Sequence, residues 1–312
     1  MTEPESPLGP EPLRFLVGAT AAGKSALALE LAEALAAEVL ALDSMQVYRG
    51  MDVGTAKPSA AERARVPHAL LDLVEPSERY DVSRYLADAQ AALAAAAARR
   101  RRALFVGGTG LYLKALAEGL FGGPAPDPVL RGALEERARR EGSPALHAEL
   151  ATRDPASAAR LHPNDRKRVV RALEVLEQTG RPLSAWQHQW GGPESARPAL
   201  RLVGLLPPEE EHAARIATRV RAMLDGGWVE EARAIRDGCG FGPTAIQALG
   251  YADVLELADG RLTRAECEAR VIQKTRRFVR RQRTWFRSFP AILWLDPHAP
   301  DTLARARTEL LR

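Results

Sequence analysis

Eight residues near the N-terminus constrain the fold of this chain more than any other segment. They read Gly18-Ala19-Thr20-Ala21-Ala22-Gly23-Lys24-Ser25 and have the GxxxxGKS spacing of a P-loop. An apolar, strand-like run precedes them at 13–17, and a helical pattern follows at 26–37. In such a unit the loop amides surround phosphate groups, Lys24 contacts phosphate oxygens, and the Ser25 hydroxyl can bind Mg²⁺. The segment therefore predicts a di- or triphosphate site formed by all eight residues.

The pattern of the first third of the chain predicts an α/β fold with a parallel sheet. Strand-like runs at 13–17, 38–42 and 103–106 alternate with helical ones, of which the clearest covers 85–100. Further along, the sequence predicts a returning strand at 202–206, one long helix from Pro208 to about Ala234, and an edge strand at 293–295. We expect a P-loop NTPase-like parallel sheet flanked by helices.

A change of pattern between Gly122 and Pro198 predicts an inserted, small all-helical domain. Short helical segments alternate there with Pro and Gly, with Gly122-Gly123-Pro124 at one boundary and Gly191-Gly192-Pro193 at the other. We therefore expect a core formed by 13–122 and 199–312, a helical insertion at 123–198, and a disordered tail at 1–12.

Composition excludes several classes of protein. No run approaches the roughly 18 apolar residues that a membrane span needs, and the acidic, proline-rich start does not resemble a signal sequence, which predicts a cytoplasmic location. Cys239 and Cys267 lie far apart, so neither a zinc module nor a disulfide framework is indicated. The net charge is only +4, and all but five of the 44 basic residues are arginine. The position of each arginine is therefore more informative than the total.

A second motif, DSMQVYRGMDVGTAKP at 43–58, directly follows the second predicted strand. Because the carboxyl ends of parallel strands face one crevice, Asp43 should lie beside the P-loop. Its carboxylate can hold Mg²⁺ through water or accept a proton from a nucleophile, or it can simply cap the following turn. Ser44 and Gln46 add hydrogen-bonding groups suited to a base edge, since glutamine can pair with adenine.

Two segments are strongly basic. Between Arg270 and Arg287 there are eight basic residues and no acidic one, on a predicted helix whose buried stripe we expect at Val271, Phe278 and Trp285. Such a face neutralises nucleic-acid phosphates. A shorter ridge at 164–171 places Lys167 and Arg171 one helical turn apart, a pattern that is also common on ordinary solvated surfaces.

These motifs together resemble the tRNA dimethylallyltransferases, also called tRNA isopentenyltransferases. The resemblance runs nearly end to end and is to the bacterial-type form without a zinc finger. Besides the P-loop and the highly specific second motif, it rests on GGTGLYL at 107–113, HPND at 162–165 with the arginines and RALE that follow, Arg276, and RQRTWFR at 281–287.

The resemblance implies transfer of a dimethylallyl group from its diphosphate to N6 of the adenosine 3′ of the anticodon, with Mg²⁺ bound at Ser25. It implies that Asp43 is the base and that Lys24 and Thr109 also belong to the catalytic residues, and it places Arg219 near the diphosphate. The implied partners are the tRNA anticodon stem-loop and dimethylallyl diphosphate, and a monomer suffices. The implied tRNA contacts are Asp43, Ser44, Met45, Gln46, Thr109, Arg131, Lys167, Arg168, Arg171 and Arg281. Lys167 stands where the family usually has glutamine, which puts the local sequence preference in doubt.

Two other functions use the same loop. A small-molecule kinase would share the P-loop and Asp43, but it would leave the helical insertion and the basic segment unexplained. A nucleic-acid-binding NTPase would need a second strand-end carboxylate acting on Mg²⁺. The sequence also leaves open whether the loop binds ATP, and for Thr109 it leaves open a plain helix N-cap.

Overall fold

The computed structural model describes residues 11–119, 123–187, 198–289 and 291–312. The chain forms two compact units, one of Met1–Ala117 with Pro198–Arg312 and one of Glu118–Arg197, called here the sheet unit and the helical unit. The first ten residues of the expected tail lie outside the described residues. So do Gly122 and the second expected boundary at 191–193.

A six-stranded parallel sheet forms the centre of the sheet unit, with the strand order β3-β2-β4-β1-β5-β6. Every residue of β1 and β2 is buried, as expected for a parallel sheet that is covered on both faces. The strands are β1 Leu13–Gly18, β2 Ala37–Leu42, β3 His68–Ala69, β4 Arg102–Gly107, β5 Leu200–Leu205 and β6 Leu293–Leu295.

Helices cover the sheet and make up the helical unit. In chain order they are α1 Lys24–Ala34, α2 Ala60–Arg65, α3 Val82–Ala98, α4 Gly110–Glu118, α5 Pro128–Glu141, α6 Ser143–Arg153, α7 Pro155–Ala158, α8 Arg166–Thr179, α9 Leu183–Gln187, α10 Glu209–Asp225, α11 Trp228–Asp237, α12 Tyr251–Ala258, α13 Arg264–Phe286 and α14 Thr302–Leu311. None of these helices is long and apolar enough to cross a membrane.

The predicted fold class is confirmed, because the parallel sheet is flanked by helices and β1 leads through the P-loop into α1. Strands β1, β2 and β4 are neighbours, and each is followed by one of the loops singled out in the sequence. The sheet therefore brings the P-loop, the segment after Asp43 and the loop at 107–109 to one edge.

Two element predictions were wrong. The expected long helix from Pro208 to Ala234 is two helices, α10 and α11, separated by Gly226 and Gly227. Gly227 has φ 93°, a left-handed conformation that ends a helix and that glycine adopts without steric cost. The helical pattern expected at 26–37 is also too long at its end. Helix α1 ends at Ala34, because the chain enters β2 at Ala37.

The helical unit has a hydrophobic core of its own. Leu134, Leu146, Leu150, Val169 and Leu173 are buried together, and α5 through α9 supply this core. On α8 the apolar residues recur every three to four positions, which gives the helix one buried face and one basic face.

Candidate functional site

A cavity of about 1100 Å³ opens where β1, β2 and β4 end, and residues of the sheet unit alone line it. Three loops contribute, at 20–25, 43–46 and 107–109, together with side chains from α10 and α13. Pockets of this size at the carboxyl edge of an α/β sheet are the usual place for ligands.

The P-loop wraps around the side chain of its own lysine. Lys24 Nζ donates hydrogen bonds to the carbonyls of Gly18 at 3.0 Å and Ala19 at 2.8 Å. Burial, together with the positive charge of Arg219, lowers the pKa of Lys24 to about 8, against the opposing effect of Asp43. A partly buried ammonium that pairs with no carboxylate among the described residues is suited to an anionic ligand.

Backbone geometry shapes the rest of the loop. Ala21 has φ 62° and Gly23 has φ 93°, so two left-handed residues turn the chain before α1. The Ala22 amide donates to the Ala19 carbonyl at 3.2 Å, and the Thr20 amide donates to Gln282 at 3.0 Å. Two of the eight predicted ligand residues thus use their amides within the protein.

Arg219 of α10 is the second cation of the cavity. Its guanidinium makes no hydrogen bond or ion pair with any residue in the part of the chain that the structure describes. Burial lowers its pKa, and the nearby Asp43 carboxylate acts against that effect. A desolvated guanidinium without a partner favours a multiply charged anion.

The Asp43 carboxylate has one bonded oxygen and one open oxygen. Oδ1 accepts hydrogen bonds from the amides of Met45 at 2.8 Å and Gln46 at 3.3 Å, so Asp43 does cap the following turn. Oδ2 accepts no hydrogen bond from the described residues. The cap fixes the carboxylate in place and leaves Oδ2 able to accept a proton.

Thr109 joins the loops that follow β2 and β4. Its Oγ1 accepts a hydrogen bond from the Ser44 amide at 3.1 Å, while its own amide donates to the Leu42 carbonyl at 3.1 Å. The hydroxyl therefore bridges to the second motif in addition to standing directly before α4, and its proton is free to be donated.

Gln46 is held by the far end of its own motif. Its Nε2 donates to the carbonyls of Thr55 and Ala56, both at 3.3 Å. This leaves Oε1 as the end that can meet a ligand, and a carbonyl oxygen accepts from an exocyclic amine but not from another carbonyl. The pairing with adenine that the sequence suggested can use only Oε1 in this arrangement, because the nitrogen already donates to two carbonyls.

Glu231 of α11 fixes the backbone around that anchor. Its carboxylate accepts hydrogen bonds from three successive amides, those of Asp52 at 2.7 Å, Val53 at 2.6 Å and Gly54 at 3.0 Å, and from the Tyr251 hydroxyl at 2.6 Å. Successive amides that converge on one anion form a nest. Sequence reasoning missed Glu231, because nothing local marks a glutamate that acts across 177 or more positions.

Helix α13 lines the cavity with both cationic and aromatic side chains. The guanidinium of Arg281 lies 5.8 Å from the centre of the Phe278 ring and is exposed. Two of the eight basic residues of this segment are paired across α12, Lys274 with Asp253 at 2.7 Å and Arg270 with Glu256 at 3.1 Å. The positive face is thus partly compensated, although the segment itself contains no carboxylate.

The buried stripe of α13 differs from the prediction. Val271 is buried as expected, but Phe278 and Trp285 are only half-buried. A seven-residue repeat drifts around a 3.6-residue helix, so the true stripe follows a mixture of three- and four-residue steps. It consists of Cys267, Val271, Thr275, Val279, Gln282 and Phe286.

In the helical unit, two of the predicted tRNA-binding arginines are held by one buried carboxylate. Glu174 is fully buried and pairs with Arg131 at 2.6 Å and Arg171 at 2.8 Å. Burial tends to raise the pKa of Glu174, but hydrogen bonds from the two arginines hold it below its ordinary value. Arg168 and Lys167 are exposed on α8, and Arg168 pairs with Asp165 at 3.5 Å.

The donor atoms at the P-loop fit a magnesium ion bound with a diphosphate. No group of three or more His, Cys, Asp and Glu in the described ranges could hold a metal ion by itself. Mg²⁺ does not need one, since it keeps several waters and binds through one or two protein oxygens plus phosphate. Ser25, exposed at the start of α1, and Asp43 supply such oxygens.

Family models match most of the chain. An IPP transferase model covers residues 46–289, and an isopentenyl transferase model covers residues 11–72. Together they span both the P-loop and the basic helix α13.

Relatives and solved structures agree with this match. The chain is 48% identical to a tRNA dimethylallyltransferase of Anaeromyxobacter dehalogenans over 94% of this chain and 98% of the relative. It is 45% identical to one of Geobacter sulfurreducens, over 91% of each. The full-length tRNA isopentenylpyrophosphate transferase of Bacillus halodurans has a similar structure, with a TM-score of 0.70, 35% identity and coverage of 96% and 97%.

A eukaryotic dimethylallyltransferase whose structures show it acting on tRNA is also similar, with a TM-score of 0.78 and 25% identity over 96% of this chain and 77% of that one. The resemblance seen in the sequence is therefore confirmed, and the kinase interpretation gains no support. This chain belongs to the IPP transferase family.

Proposed function

We propose that this protein transfers a dimethylallyl group from dimethylallyl diphosphate to N6 of the adenosine 3′-adjacent to the anticodon of tRNA, position 37. The observation that carries the proposal is the combination of charges in one cavity. Lys24 and Arg219 lack carboxylates of their own among the described residues, and Asp43 presents an open oxygen nearby. Such a cavity can hold a leaving diphosphate beside a base.

In the proposed reaction a new bond forms between N6 and the allylic carbon, and the bond from that carbon to the diphosphate oxygen breaks. The electron pair leaves with pyrophosphate, whose charge Lys24, Arg219 and the free P-loop amides stabilise. Asp43 Oδ2 accepts the N6 proton as the amine becomes acidic. The ordered cap on Oδ1 keeps the base oriented.

Ser25 is the residue that would hold Mg²⁺, which when bound would neutralise diphosphate charge, whereas the open oxygen of Asp43 serves as the base. The open Oε1 of Gln46 matches the amine of an adenine that has left the anticodon stack, with Ser44 and Met45 lining the same space. Thr109 positions this motif through the Ser44 amide.

The cationic face of α13, including Arg281, is the proposed binding surface for RNA phosphates. Lys167, Arg168, Arg131 and Arg171 of the helical unit are proposed as further tRNA contacts. Of these, Arg131 and Arg171 are already paired with the Glu174 carboxylate. We place the enzyme in the cytoplasm as a monomer, because tRNA is found there and the described cavity needs no second copy.

The test is to incubate the protein with Mg²⁺, radiolabelled dimethylallyl diphosphate and an anticodon stem-loop. The wild type should label the RNA, and Asp43→Asn should lower the rate about a hundredfold or more, as expected for loss of a general base. Asp237→Asn, a change at an exposed carboxylate at the end of α11, serves as the matched control and should keep full activity. Transfer of γ-phosphate from ATP to a metabolite, with unlabelled RNA, would overturn the proposal.

A further inference from the structure

Helix α13, the proposed RNA-binding helix, is bonded directly to the P-loop through a buried glutamine. Gln282 is 7% exposed, and both ends of its amide are used. Its Oε1 accepts a hydrogen bond from the Thr20 amide at 3.0 Å, and its Nε2 donates to the Gly108 carbonyl at 3.0 Å. One side chain thus connects the loops that follow β1 and β4.

The other side of the same peptide segment is also held. His212 of α10 is 2% exposed, and its Nε2 lies 2.7 Å from the Thr20 carbonyl. A carbonyl can only accept, so Nε2 carries the proton, and Nδ1 accepts from Arg283 Nη2 at 2.9 Å. Two consecutive residues of α13 therefore fix Thr20, Gln282 directly and Arg283 through His212.

In the loop that follows β4, the packing leaves little space for a side chain at position 108. A Cβ atom at Gly108 would lie 2.4 Å from Gln282 Nε2 and 3.1 Å from the Gly18 carbonyl oxygen. Gly108 is thus needed for the glutamine to reach its carbonyl.

We propose that Gln282 is a positioning residue for the diphosphate, and that His212, held by Arg283, is its counterpart. The two side chains hold the N–H and the carbonyl of Thr20 and thereby set the curve of the P-loop, so that Lys24 and the amides not used within the protein are left for the ligand. This inference rests on the proposed diphosphate site. It assigns to α13 a role in the shape of that site in addition to RNA binding.

The experiment measures binding of inorganic pyrophosphate with Mg²⁺ by calorimetry, together with separate KM values for prenyl diphosphate and stem-loop RNA. Gln282→Met should weaken pyrophosphate binding and raise the KM for prenyl diphosphate about tenfold, because two hydrogen bonds to the loops are lost. The KM for RNA should stay within about twofold, since no phosphate-facing cation is changed. Gln273→Met, on the exposed face of the same helix, is the matched control and should match the wild type.

His212 supplies the second arm, which remains informative if Gln282→Met does not fold. His212→Leu should weaken pyrophosphate binding several-fold, whereas His212→Gln should retain it, because glutamine still places an N–H near the Thr20 carbonyl. In the double variant the losses should be less than additive, since both side chains act on one residue, Thr20.

The possible failures are distinguishable. Absence of pyrophosphate binding by the wild type would contradict the proposed diphosphate site itself. Wild-type binding together with unchanged affinity in folded Gln282→Met and His212→Leu would overturn the positioning role alone. Equal losses in His212→Leu and His212→Gln would also count against it.

Discussion

At the residue scale, the pKa of Lys24 is suited to the binding of a diphosphate. Its pKa of about 8 results from burial and from Arg219, so the free protein loses this charge at mildly alkaline pH. A bound diphosphate favours the charged form and keeps the proton on Lys24. Binding above pH 8 is therefore coupled to proton uptake, whereas below pH 8 the lysine is already charged.

The first prediction follows from this coupling between ligand binding and proton uptake. The affinity for pyrophosphate should fall with rising pH above about 8, by up to about tenfold per pH unit, through Lys24 alone. Lys24→Arg remains charged at these pH values and lacks this dependence. Calorimetry from pH 6.5 to 9.5 measures both proteins, and the ratio of their affinities cancels the ionisation of the ligand. A ratio that does not change with pH would show that Lys24 does not titrate in this range.

Sequence reasoning found the residues that belong to local motifs and missed those that act across the fold. Lys24 and Asp43 follow strand ends, so their meeting at one sheet edge was predictable. Gln282 reaches Thr20 across 262 positions, and nothing in the arginine-rich sequence around it marks that contact. The roles of Gln282, His212 and Glu231 depend on how helices pack on the loops, and helix packing has no local signature.

At the scale of elements, the break between α10 and α11 shows how one dihedral angle decides a helix boundary. The composition of 208–234 favours a single helix, and hydrophobic periodicity continues past the break. Gly227 in the left-handed region turns the chain and starts α11 in a new direction, which places Glu231 against the loop at 52–54. The glycine pair at 226–227 was the sequence signal for the split, because Gly-Gly marks turns and helix ends, and the periodicity that continues past it hid that signal.

The second prediction concerns this glycine. Gly227→Ala should reduce the free energy of unfolding of the protein by about 1–2 kcal/mol, because alanine is strained at φ 93°. Nothing but a distant Glu230 oxygen at 3.8 Å is near the added methyl group, so the loss measures backbone strain. Gly227→Asn should lose less, since asparagine tolerates this region better. Urea denaturation followed by circular dichroism compares the three, and an equal loss for both variants would contradict the strain argument.

The third prediction concerns the cationic face of α13. Arg281→Ala should weaken stem-loop binding and reduce the slope of log affinity against log salt by about one, without changing pyrophosphate affinity. Fluorescence anisotropy at several salt concentrations measures the slope. Arg236→Ala, which removes an exposed arginine already paired with Asp237 and Asp259, should leave the slope unchanged. A slope that is equal in wild type and Arg281→Ala would remove this arginine from the RNA interface.

At the scale of the whole molecule, the chain builds two units with separate cores. The buried residues around Leu134 and Leu150 belong to the helical unit alone, and the cavity is lined by the sheet unit alone. The change from a βαβ pattern to short helices predicted an insertion. The pairing of Arg131 and Arg171 with Glu174 was not predictable, because Arg171 belonged to a basic ridge that also fits a solvated surface and no local pattern marked Arg131.

The fourth prediction uses this separation. Glu174→Gln should destabilise the helical unit by about 2–3 kcal/mol, because it leaves two arginines without their buried carboxylate. The loss is smaller than for a fully buried pair, since the arginine side chains are 22% and 25% exposed. Pyrophosphate affinity should not change. Glu136→Gln, an exposed partner of Arg139 in the same unit, is the control and should alter stability by less than about 0.5 kcal/mol. Hydrogen exchange resolves the two units, and a parallel loss of protection in both would contradict the separation.

Stability of the helical unit should also depend on acidity through Glu174. Its pKa lies below the ordinary value in the folded state, so its stabilising effect is present above pH 4.5 and is lost as the pH falls through the folded value. The same hydrogen-exchange experiment at pH 5.5 and pH 4 should therefore show a smaller difference between wild type and Glu174→Gln at the lower pH.

The Glu231 carboxylate in the nest at 52–54 has a consequence for where small anions can bind. The three successive amides at 52–54 already donate to this internal carboxylate. Free phosphate and other small anions of the cell find these amides occupied, whereas the P-loop amides that are not used within the protein can bind an anion. Competition from such anions should therefore act at the P-loop and leave the loop that anchors Gln46 unchanged.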